Sequence, residues 1–260
     1  MKLPVSIGAL RRLIKELQEA GDDRRPIAIG GAAELARTLE RDLTRGGDPS
    51  AVRIGAPAGA ALYLHIATGD DEASLKGARR ERVPIVAVAF SDAPLPYVYA
   101  TDVVRVGPGA PMPVDAIVEA VAARLDEAGA PLAGRLPVLR DAVCARIVAS
   151  FARKNGIIGA AVFIPGADLP VLALNEVRML LLLDQAHGLQ LDPRERLPEL
   201  VATVGAALGL RAVARELLDL VPLAGWAVKG GVAYAGTRAL GEAAILRLQA
   251  STKRTFKGPS

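Results

Sequence analysis

The segment that most constrains the fold is residues 155–188, NGIIGAAVFIPGADLPVLALNEVRMLLLLDQAHG. Its apolar runs have to be buried, because exposing so much apolar surface to water is unfavourable. A membrane-spanning helix needs about twenty apolar residues without charges. The longest clean run here, residues 156–167, is shorter than that and contains Pro165. We therefore expect a helical bundle packed on itself, with a spanning helix as the alternative.

The composition limits which residues can form the core and indicates the cellular compartment. Apolar residues make up 51% of the chain but aromatic residues only 3%, so Ala, Val, Leu and Ile have to form the core. The net charge of +4 is too small to indicate nucleic-acid binding, and it is compatible with contact with an anionic membrane surface. The single cysteine, Cys144, excludes an internal disulfide and fits a cytoplasmic protein. Its apolar surroundings predict a buried, unreactive thiol.

The first half of the chain alternates short apolar runs with helical repeats. Such alternation is typical of βαβ units and a parallel sheet. We expect strands at residues 26–29, 52–54, 61–67, 84–90 and 102–106, and helices at residues 30–43, 69–83 and 114–128. An amphipathic first helix is expected to dock on this domain. The α/β domain is thus predicted to occupy residues 1–130.

The second half is predicted to be helical. A Pro/Gly-rich turn at residues 129–137 separates it from the first domain. We expect helices at residues 137–154, from Asp168 to about Ala186, and at residues 197–220 and 225–248, with Gly188 ending the second of them. They form an Ala/Leu-rich helical domain at residues 137–248, followed by a frayed basic tail at residues 249–260.

Small residues indicate how these helices pack, because they let helix backbones approach closely. One ladder at four-residue spacing lies in the last helix, and a shorter one lies in the helix before it. The predicted packing residues are Ala227, Gly231, Ala235, Ala239 and Ala243 in the first ladder, and Gly205 and Gly209 in the second.

The turn after the first strand, Gly30–Gly31, is where a phosphate-binding loop belongs in a parallel sheet. That loop requires Gly, four residues, and then Gly-Lys-Ser/Thr, in which the lysine neutralises phosphate and the hydroxyl holds magnesium. Counting from Gly30, those places hold Leu35, Ala36 and Arg37. The pattern is absent, and we predict no cofactor. Residual nucleotide binding by backbone amides at this turn is the alternative.

The sequence also predicts no catalytic residues and no metal site. His65 lies in an apolar strand and is expected to be a core histidine, and His187 is expected to carry a favourable charge at a helix end. Two histidines and one cysteine do not compose a usual zinc site, and no Gly-x-Ser-x-Gly turn is present. The acid pairs Asp22–Asp23 and Asp70–Asp71 are interpreted as charges at helix starts.

A group of polar residues in the apolar stretch is the remaining candidate site. It consists of Asp168, Asn175, Glu176 and Arg178. One interpretation is structural, with Asp168 capping a helix and Glu176 paired with Arg178. The other is an element that recognises a partner or acts as a switch.

Two segments, IPGADLPVLALNEVRMLLLLDQAHG and LLDLVPLAGWAVKGGVAYAGTRALGEAA, carry a resemblance. Over residues 137–248 the chain resembles the helical domain of unknown function six-nine-seven. That domain follows small GTPase domains of the Era/dynamin-like kind in bacteria and also occurs in inner-membrane proteins. The matching features are a Pro-Gly-x-Asp turn, a Pro-x-x-Gly turn and a Gly-rich last helix, at Pro165, Gly166 and Asp168, Pro222 and Gly225, and Thr237 and Gly241.

The first domain correspondingly resembles a small GTPase domain that has lost its motifs. The segment PIVAVAFSDA falls where that family reads the base with Asn-Lys-x-Asp, and Phe90, Ser91 and Ala93 stand in those places. The resemblance implies a three-layer, P-loop-GTPase-like domain that lacks nucleotide motifs and does not hydrolyse GTP.

Together these features predict a non-enzymatic scaffold or adaptor. Its α/β domain is expected to recognise a protein partner, and its helical domain to self-associate or to contact the anionic inner membrane. A nucleotide-responsive protein and an integral inner-membrane protein are the two alternatives. The expected location is cytoplasmic, either free, peripheral to the inner membrane or embedded in it.

Overall fold

The computed structural model of the chain describes residues 6–161, 169–191, 205 and 225–256. Contacts divide the chain into an α/β unit, Asp22–Val143, and a helical unit, Met1–Gly21 with Cys144–Ser260. The helical unit therefore begins at Cys144, somewhat later than the predicted start at residue 137. It also includes the first helix, which the sequence assigned to the other domain.

The α/β unit is built on a five-stranded sheet in which every neighbouring pair is parallel. The spatial order is β2-β1-β3-β4-β5, which is one of the common orders of doubly wound sheets. The strands are β1 Ile27–Gly31, β2 Val52–Ile54, β3 Leu62–Ile66, β4 Ile85–Ala89 and β5 Val103–Arg105. The predicted parallel sheet is confirmed.

Three helices cover the faces of this sheet, namely α2 Ala33–Leu43, α3 Glu72–Arg80 and α4 Val114–Leu125. The short α5 Ala130–Arg135 follows α4. Crossovers between parallel strands are right-handed. The connection β1–α2–β2 moves across the sheet in the opposite direction to β3–α3–β4. Helices α2 and α3 therefore cover opposite faces. Every residue of β3 and β4 is buried, as expected for strands covered on both sides.

The sheet face under α3 combines small and large side chains. Register places Ala28, Tyr63 and Ile85 in one row and Gly30, His65 and Ala87 in the next. The first row packs against Leu75 and Ala78 of α3. Small residues on the flanking strands leave room for Tyr63 and His65. A methyl group on Gly30 would lie 2.0 Å from the Tyr63 hydroxyl, so only glycine fits there.

The described helices of the other unit are α1 Ile7–Gly21, α6 Arg140–Ala161, α7 Leu169–Ala186 and α8 Gly225–Phe256. Helix α1, which was expected to dock on the α/β domain, packs against α7 of the helical unit. Its buried side chains are the predicted ones, Leu10, Leu13, Ile14 and Leu17. Within the described residues, no helix has both the length and the apolar character that crossing a membrane requires.

Two predicted boundaries differ from those observed. The segment at residues 129–137, predicted as a turn, contains α5, whose Pro131 occupies a position in the first turn that tolerates proline. The last helix continues to Phe256, so most of the predicted basic tail is helical. The helix predicted at residues 197–220 lies outside the described residues except for residue 205, which is helical.

The packing face of α8 lies on roughly the opposite side of the helix from the predicted ladder. Gly231, Ala235, Ala239 and Ala243 are exposed, whereas Gly230, Ala233, Thr237 and Gly241 are buried. A methyl group on Gly230 would lie 2.9 Å from the Gly156 carbonyl oxygen, and one on Gly241 would lie 2.5 Å from Val148. These contacts show that α8 runs antiparallel to α6 at close range. For Gly205 and Gly231, no described atom lies within 4 Å of such a methyl group, and Gly209 is outside the described residues.

Candidate functional site

A cleft of about 550 Å³ lies beyond the carboxyl ends of β3 and β4. Doubly wound sheets bind ligands at this carboxyl end, usually at the switch point, which in this strand order lies between β1 and β3. One wall is the β3–α3 loop and the start of α3, and the other is the loop after β4. The lining residues are Ala67, Thr68, Gly69, Asp70, Asp71, Glu72, Ala89, Phe90, Ser91, Ala93, Pro94, Leu95 and Pro96. Phe90, Ser91 and Ala93, which stand where the GTPase resemblance puts its base-reading motif, are among them.

A buried chain of hydrogen bonds leads from the core to this cleft. Tyr63 Oη lies 3.1 Å from His65 Nδ1, and His65 Nε2 lies 2.8 Å from Asp71 Oδ1. A carboxylate only accepts, so Nε2 carries a ring proton, and in the neutral imidazole Nδ1 then accepts from the tyrosine hydroxyl. Burial raises the pKa of Tyr63, which keeps that hydroxyl protonated and able to donate. The prediction that His65 is a core histidine is confirmed, and both of its ring nitrogens are engaged.

Asp71 ends this chain and also organises the β3–α3 loop. Its carboxylate accepts from the Thr68 amide at 2.8 Å, the Thr68 hydroxyl at 2.9 Å and the Gly69 amide at 3.0 Å. Burial acts to raise the pKa of Asp71, but the hydrogen bonds from His65, Thr68 and Gly69 outweigh it and lower the pKa to about 2. Asp71 occupies the N-cap position of α3, as predicted for a helix-start acid, although its side chain makes no capping bond to the helix.

The position of Asp71 determines which charge on a ligand the cleft can bind favourably. Backbone amides in a loop that leads into a helix can bind an external anion. Here the amides of Thr68 and Gly69 are already bonded to the carboxylate of the chain itself. The exposed acids Asp70 and Glu72 add further negative charge to the same wall. Together with the partly exposed Phe90 ring, they form a surface suited to a cationic group.

The glycines at the end of β1 have a packing role. Gly30 lies under the Tyr63 ring, and Gly31 has φ +94° with no room for a side chain, since a methyl group there would lie 1.8 Å from the Ile66 carbonyl oxygen. Only Ala32 separates β1 from α2. This junction is much shorter than the eight-residue loop that encloses phosphates in the Gly-x-x-x-x-Gly-Lys-Ser/Thr pattern.

The predicted polar group of the apolar stretch is only partly brought together. Asn175 Nδ2 donates to Asn155 Oδ1 at 2.8 Å, Asn155 Nδ2 donates to Thr237 Oγ1 at 2.9 Å, and Thr237 Oγ1 donates to Glu176 Oε1 at 3.3 Å. Asn155, Glu176 and Thr237 are completely buried. This chain of hydrogen bonds joins α6, α7 and α8, so Asn175 and Glu176 help to hold the bundle together.

Arg178 lies apart from that network. It pairs at 2.9 Å with Glu16 of α1, a partner that the sequence did not predict. Residues two apart on a helix point in different directions, so Glu176 and Arg178 project from different sides of α7. Asp168, predicted to cap α7, lies outside the described residues.

Several other predicted features can be located. Cys144 is buried, as expected. His187 follows α7, where its Nδ1 contacts the Leu183 carbonyl oxygen at 2.9 Å, and Gly188 ends the helix with φ +76°. Asp22 and Asp23 follow α1 and do not begin a helix, which corrects their interpretation. Asp23 pairs with Arg25 at 2.7 Å.

Sequence reasoning missed the link between Tyr63, His65 and Asp71. The first two residues are two apart in a strand and therefore share a face, which was a usable signal. The position of Asp71 depends on the course of the loop and could not be inferred from spacing. Across the described residues, no group of three or more His, Cys, Asp or Glu side chains is placed to hold a metal ion.

Comparison with known proteins adds no relative. No family model matches the chain, and neither a curated protein nor a solved structure matches it. The resemblance of residues 137–248 to the helical domain of unknown function six-nine-seven therefore stays a prediction.

Proposed function

We propose that this protein is a non-enzymatic adaptor whose α/β unit binds a basic segment of a partner protein in the cleft beside β3 and β4. A lysine or arginine side chain of the partner would enter between Asp70, Glu72 and Phe90. The helical unit would provide self-association or contact with the anionic inner membrane.

The observation that carries this proposal is the engagement of His65 and Asp71 in bonds within the chain. A general base needs a free lone pair within reach of a substrate. Both ring nitrogens of His65 are bonded, and Asp71 already accepts four hydrogen bonds. What the cleft offers to a ligand is the exposed, fixed negative charge of Asp70 and Glu72, which favours binding a cation over chemistry.

The distribution of charge supports the second half of the proposal. The α/β unit contains 14 basic and 17 acidic residues, whereas the helical unit contains 18 basic and 11 acidic residues. The two units thus have net charges of −3 and +7. A positively charged helical unit favours contact with anionic lipid.

A relationship of the α/β unit to small GTPase domains belongs to the same proposal. In this view the unit is a degenerate relative that lost phosphate binding, with Leu35, Ala36 and Arg37 in the places of the loop residues. The single-residue junction at Ala32 and the occupied amides beside Asp71 both support loss of nucleotide binding.

Fluorescence anisotropy with labelled peptides tests the proposed recognition. The full chain is titrated into an Arg/Lys-rich peptide and into an acidic peptide of the same length. We expect binding of the basic peptide only, weakened about tenfold in the Asp70→Asn/Glu72→Gln double variant. Glu81→Gln, at the exposed far end of α3, is the matched control and should change affinity by less than about twofold. Equal weakening by the control would show diffuse attraction and would overturn the proposal.

Two further measurements address the rest of the proposal. Flotation of the full chain with vesicles of anionic or neutral lipid tests the membrane contact, and recovery with the anionic vesicles alone is expected. Thermal melts with GTP or ATP and magnesium test the nucleotide-responsive alternative. A ligand at a hundred times its dissociation constant stabilises by about 2.7 kcal/mol, so an upward shift would favour that alternative.

A further inference from the structure

A cluster of polar and aromatic side chains in the α/β unit lies next to the start of β5, at the end of the sheet opposite the cleft. Its centre is Tyr99, whose side chain is 54% exposed. Arg79, at the end of α3, donates from Nη2 to the Tyr99 hydroxyl oxygen at 3.1 Å, and its guanidinium carbon lies 5.1 Å from the ring centroid. Arg124, from the last turn of α4, has its guanidinium carbon 5.6 Å from the same centroid.

The cluster is held in place by its neighbours. Val98, just before Tyr99, packs against the hydrophobic cluster under α3. The amide of Asp102 donates to the Tyr99 carbonyl oxygen at 2.9 Å, and the Asp102 carboxylate lies 3.4 Å from Arg124 Nε. The aromatic ring and both guanidinium groups are therefore positioned before any ligand arrives, which lowers the entropic cost of binding.

The charge of the cluster is positive and only partly compensated. Asp102 balances Arg124, but among the described residues no carboxylate forms an ion pair with Arg79. Arg80 and Arg82 of the same segment are exposed as well, and neither forms an ion pair with a described carboxylate. Two guanidinium groups beside one aromatic ring thus leave an excess of donors facing solvent.

We propose that Arg79, Tyr99 and Arg124 form a binding site for a phosphate monoester. A guanidinium fork matches two phosphate oxygens, and two such groups suit a dianion. Since the Tyr99 oxygen accepts from Arg79, its own proton remains available to donate to a third phosphate oxygen. The site uses none of the cleft residues and does not depend on the adaptor function proposed above.

Isothermal titration calorimetry of the full chain in low salt tests this site. Inorganic phosphate is expected to bind with a dissociation constant in the millimolar range, as suits a small anion on an open surface. Arg79→Gln should weaken binding about tenfold, because it removes the one guanidinium without a described carboxylate. Arg80→Gln, which removes the neighbouring exposed charge, is the matched control and should change affinity less than about twofold.

A phosphoserine peptide distinguishes the source of the phosphate. Binding of the peptide much more tightly than inorganic phosphate, and not of its unphosphorylated form, would identify a phosphorylated protein as the ligand. Equal affinities would identify a small phosphate ester. Either result supports the site, provided that Arg79→Gln weakens the binding that is observed.

A spectroscopic measurement reports on the hydroxyl itself. The hydrogen bond from Arg79 lowers the pKa of Tyr99. A bound phosphate places negative charge beside the phenol, so the absorbance titration of this tyrosine should move to higher pH. The tyrosine titration of the Tyr99→Phe chain should show no such phosphate-dependent shift. No binding by the unaltered chain, or equal losses in Arg79→Gln and Arg80→Gln, would overturn the proposal.

Discussion

Arg135 and Asp48 are joined through both their side chains and their backbones. Arg135 Nε donates to Asp48 Oδ2 at 3.0 Å, and the Asp48 amide donates to the Arg135 carbonyl oxygen at 2.9 Å. The same guanidinium donates to the Arg24 carbonyl oxygen at 3.1 Å and to the Ser50 hydroxyl at 3.2 Å. One side chain thus ties the end of α5 to the segments that precede β1 and β2.

Replacing Arg135 should destabilise the protein more than replacing an arginine on the surface. Its side chain is only 9% exposed, and Arg135→Met removes three described hydrogen bonds. We expect a loss of about 2 kcal/mol in the free energy of unfolding, measured by urea denaturation. Arg45→Met, whose side chain is 81% exposed and pairs with Asp42, should cost less than about 0.5 kcal/mol. Equal losses would contradict the role given to Arg135.

Gly30→Ala should be destabilising because the added methyl group meets the Tyr63 ring. Three atoms of that ring would lie within 2.9 Å of it, inside a packed sheet. We expect a loss of about 1–3 kcal/mol in the free energy of unfolding. Gly77→Ala is the control, since no described atom lies within 4 Å of its methyl group and helix α3 gains up to about 1 kcal/mol from alanine. A neutral Gly30→Ala would show that Tyr63 is free to move away.

Two glycines of α8 give a matched test of the observed packing face. Gly241→Ala places a methyl group 2.5 Å from Val148 and should lower the thermal midpoint, at a cost of about 1–3 kcal/mol. Gly231→Ala adds its methyl group where no described atom lies within 4 Å, and should raise stability by up to about 1 kcal/mol. If Gly231→Ala lowered stability more than Gly241→Ala, the packing face predicted from the sequence would be the correct one.

Asp71 should make the α/β unit sensitive to acid. Its pKa is about 2 in the folded protein against 3.8 for an ordinary aspartate, so the unfolded chain takes up the proton first as pH falls. The carboxylate therefore contributes about 2 kcal/mol of stability above pH ~5, of which about half is lost by pH ~3 and most of the rest by pH ~2. Urea denaturation across this range measures the loss. Asp71→Asn should be less stable at neutral pH and should lose less stability on acidification, and an unchanged pH profile would refute the assignment.

The strands could be predicted from the sequence because they are buried on both faces. A run such as PIVAVAF has no polar alternation to confuse its assignment, and β4 falls inside it. Even the short β2 at Val52–Ile54 lies where it was expected. Parallel pairing followed from the helices between the strands, although the β2–β3 connection at residues 55–61 contains no helix.

The packing face of α8 could not be predicted, because small residues occur on two opposite sides of that helix. The ladder from Gly231 to Ala239 and the series from Gly230 to Gly241 both have helical spacing and lie about 180° apart around the axis. What separates them is Thr237, whose hydroxyl finds Asn155 and Glu176 on neighbouring helices. Such a choice depends on tertiary partners that a single helix does not reveal.

The carboxylate of Asp71 accepts hydrogen bonds from amides of its own loop at the carboxyl end of the sheet. The chain itself thus supplies the negative charge that an external anion would otherwise bring to these amides. The loop that forms this wall of the cleft is therefore ordered by hydrogen bonds within the chain, and its order does not require a metal or a nucleotide. If the cleft binds a cationic ligand as proposed, long-range attraction would raise the association rate, and that rate would fall as ionic strength rises.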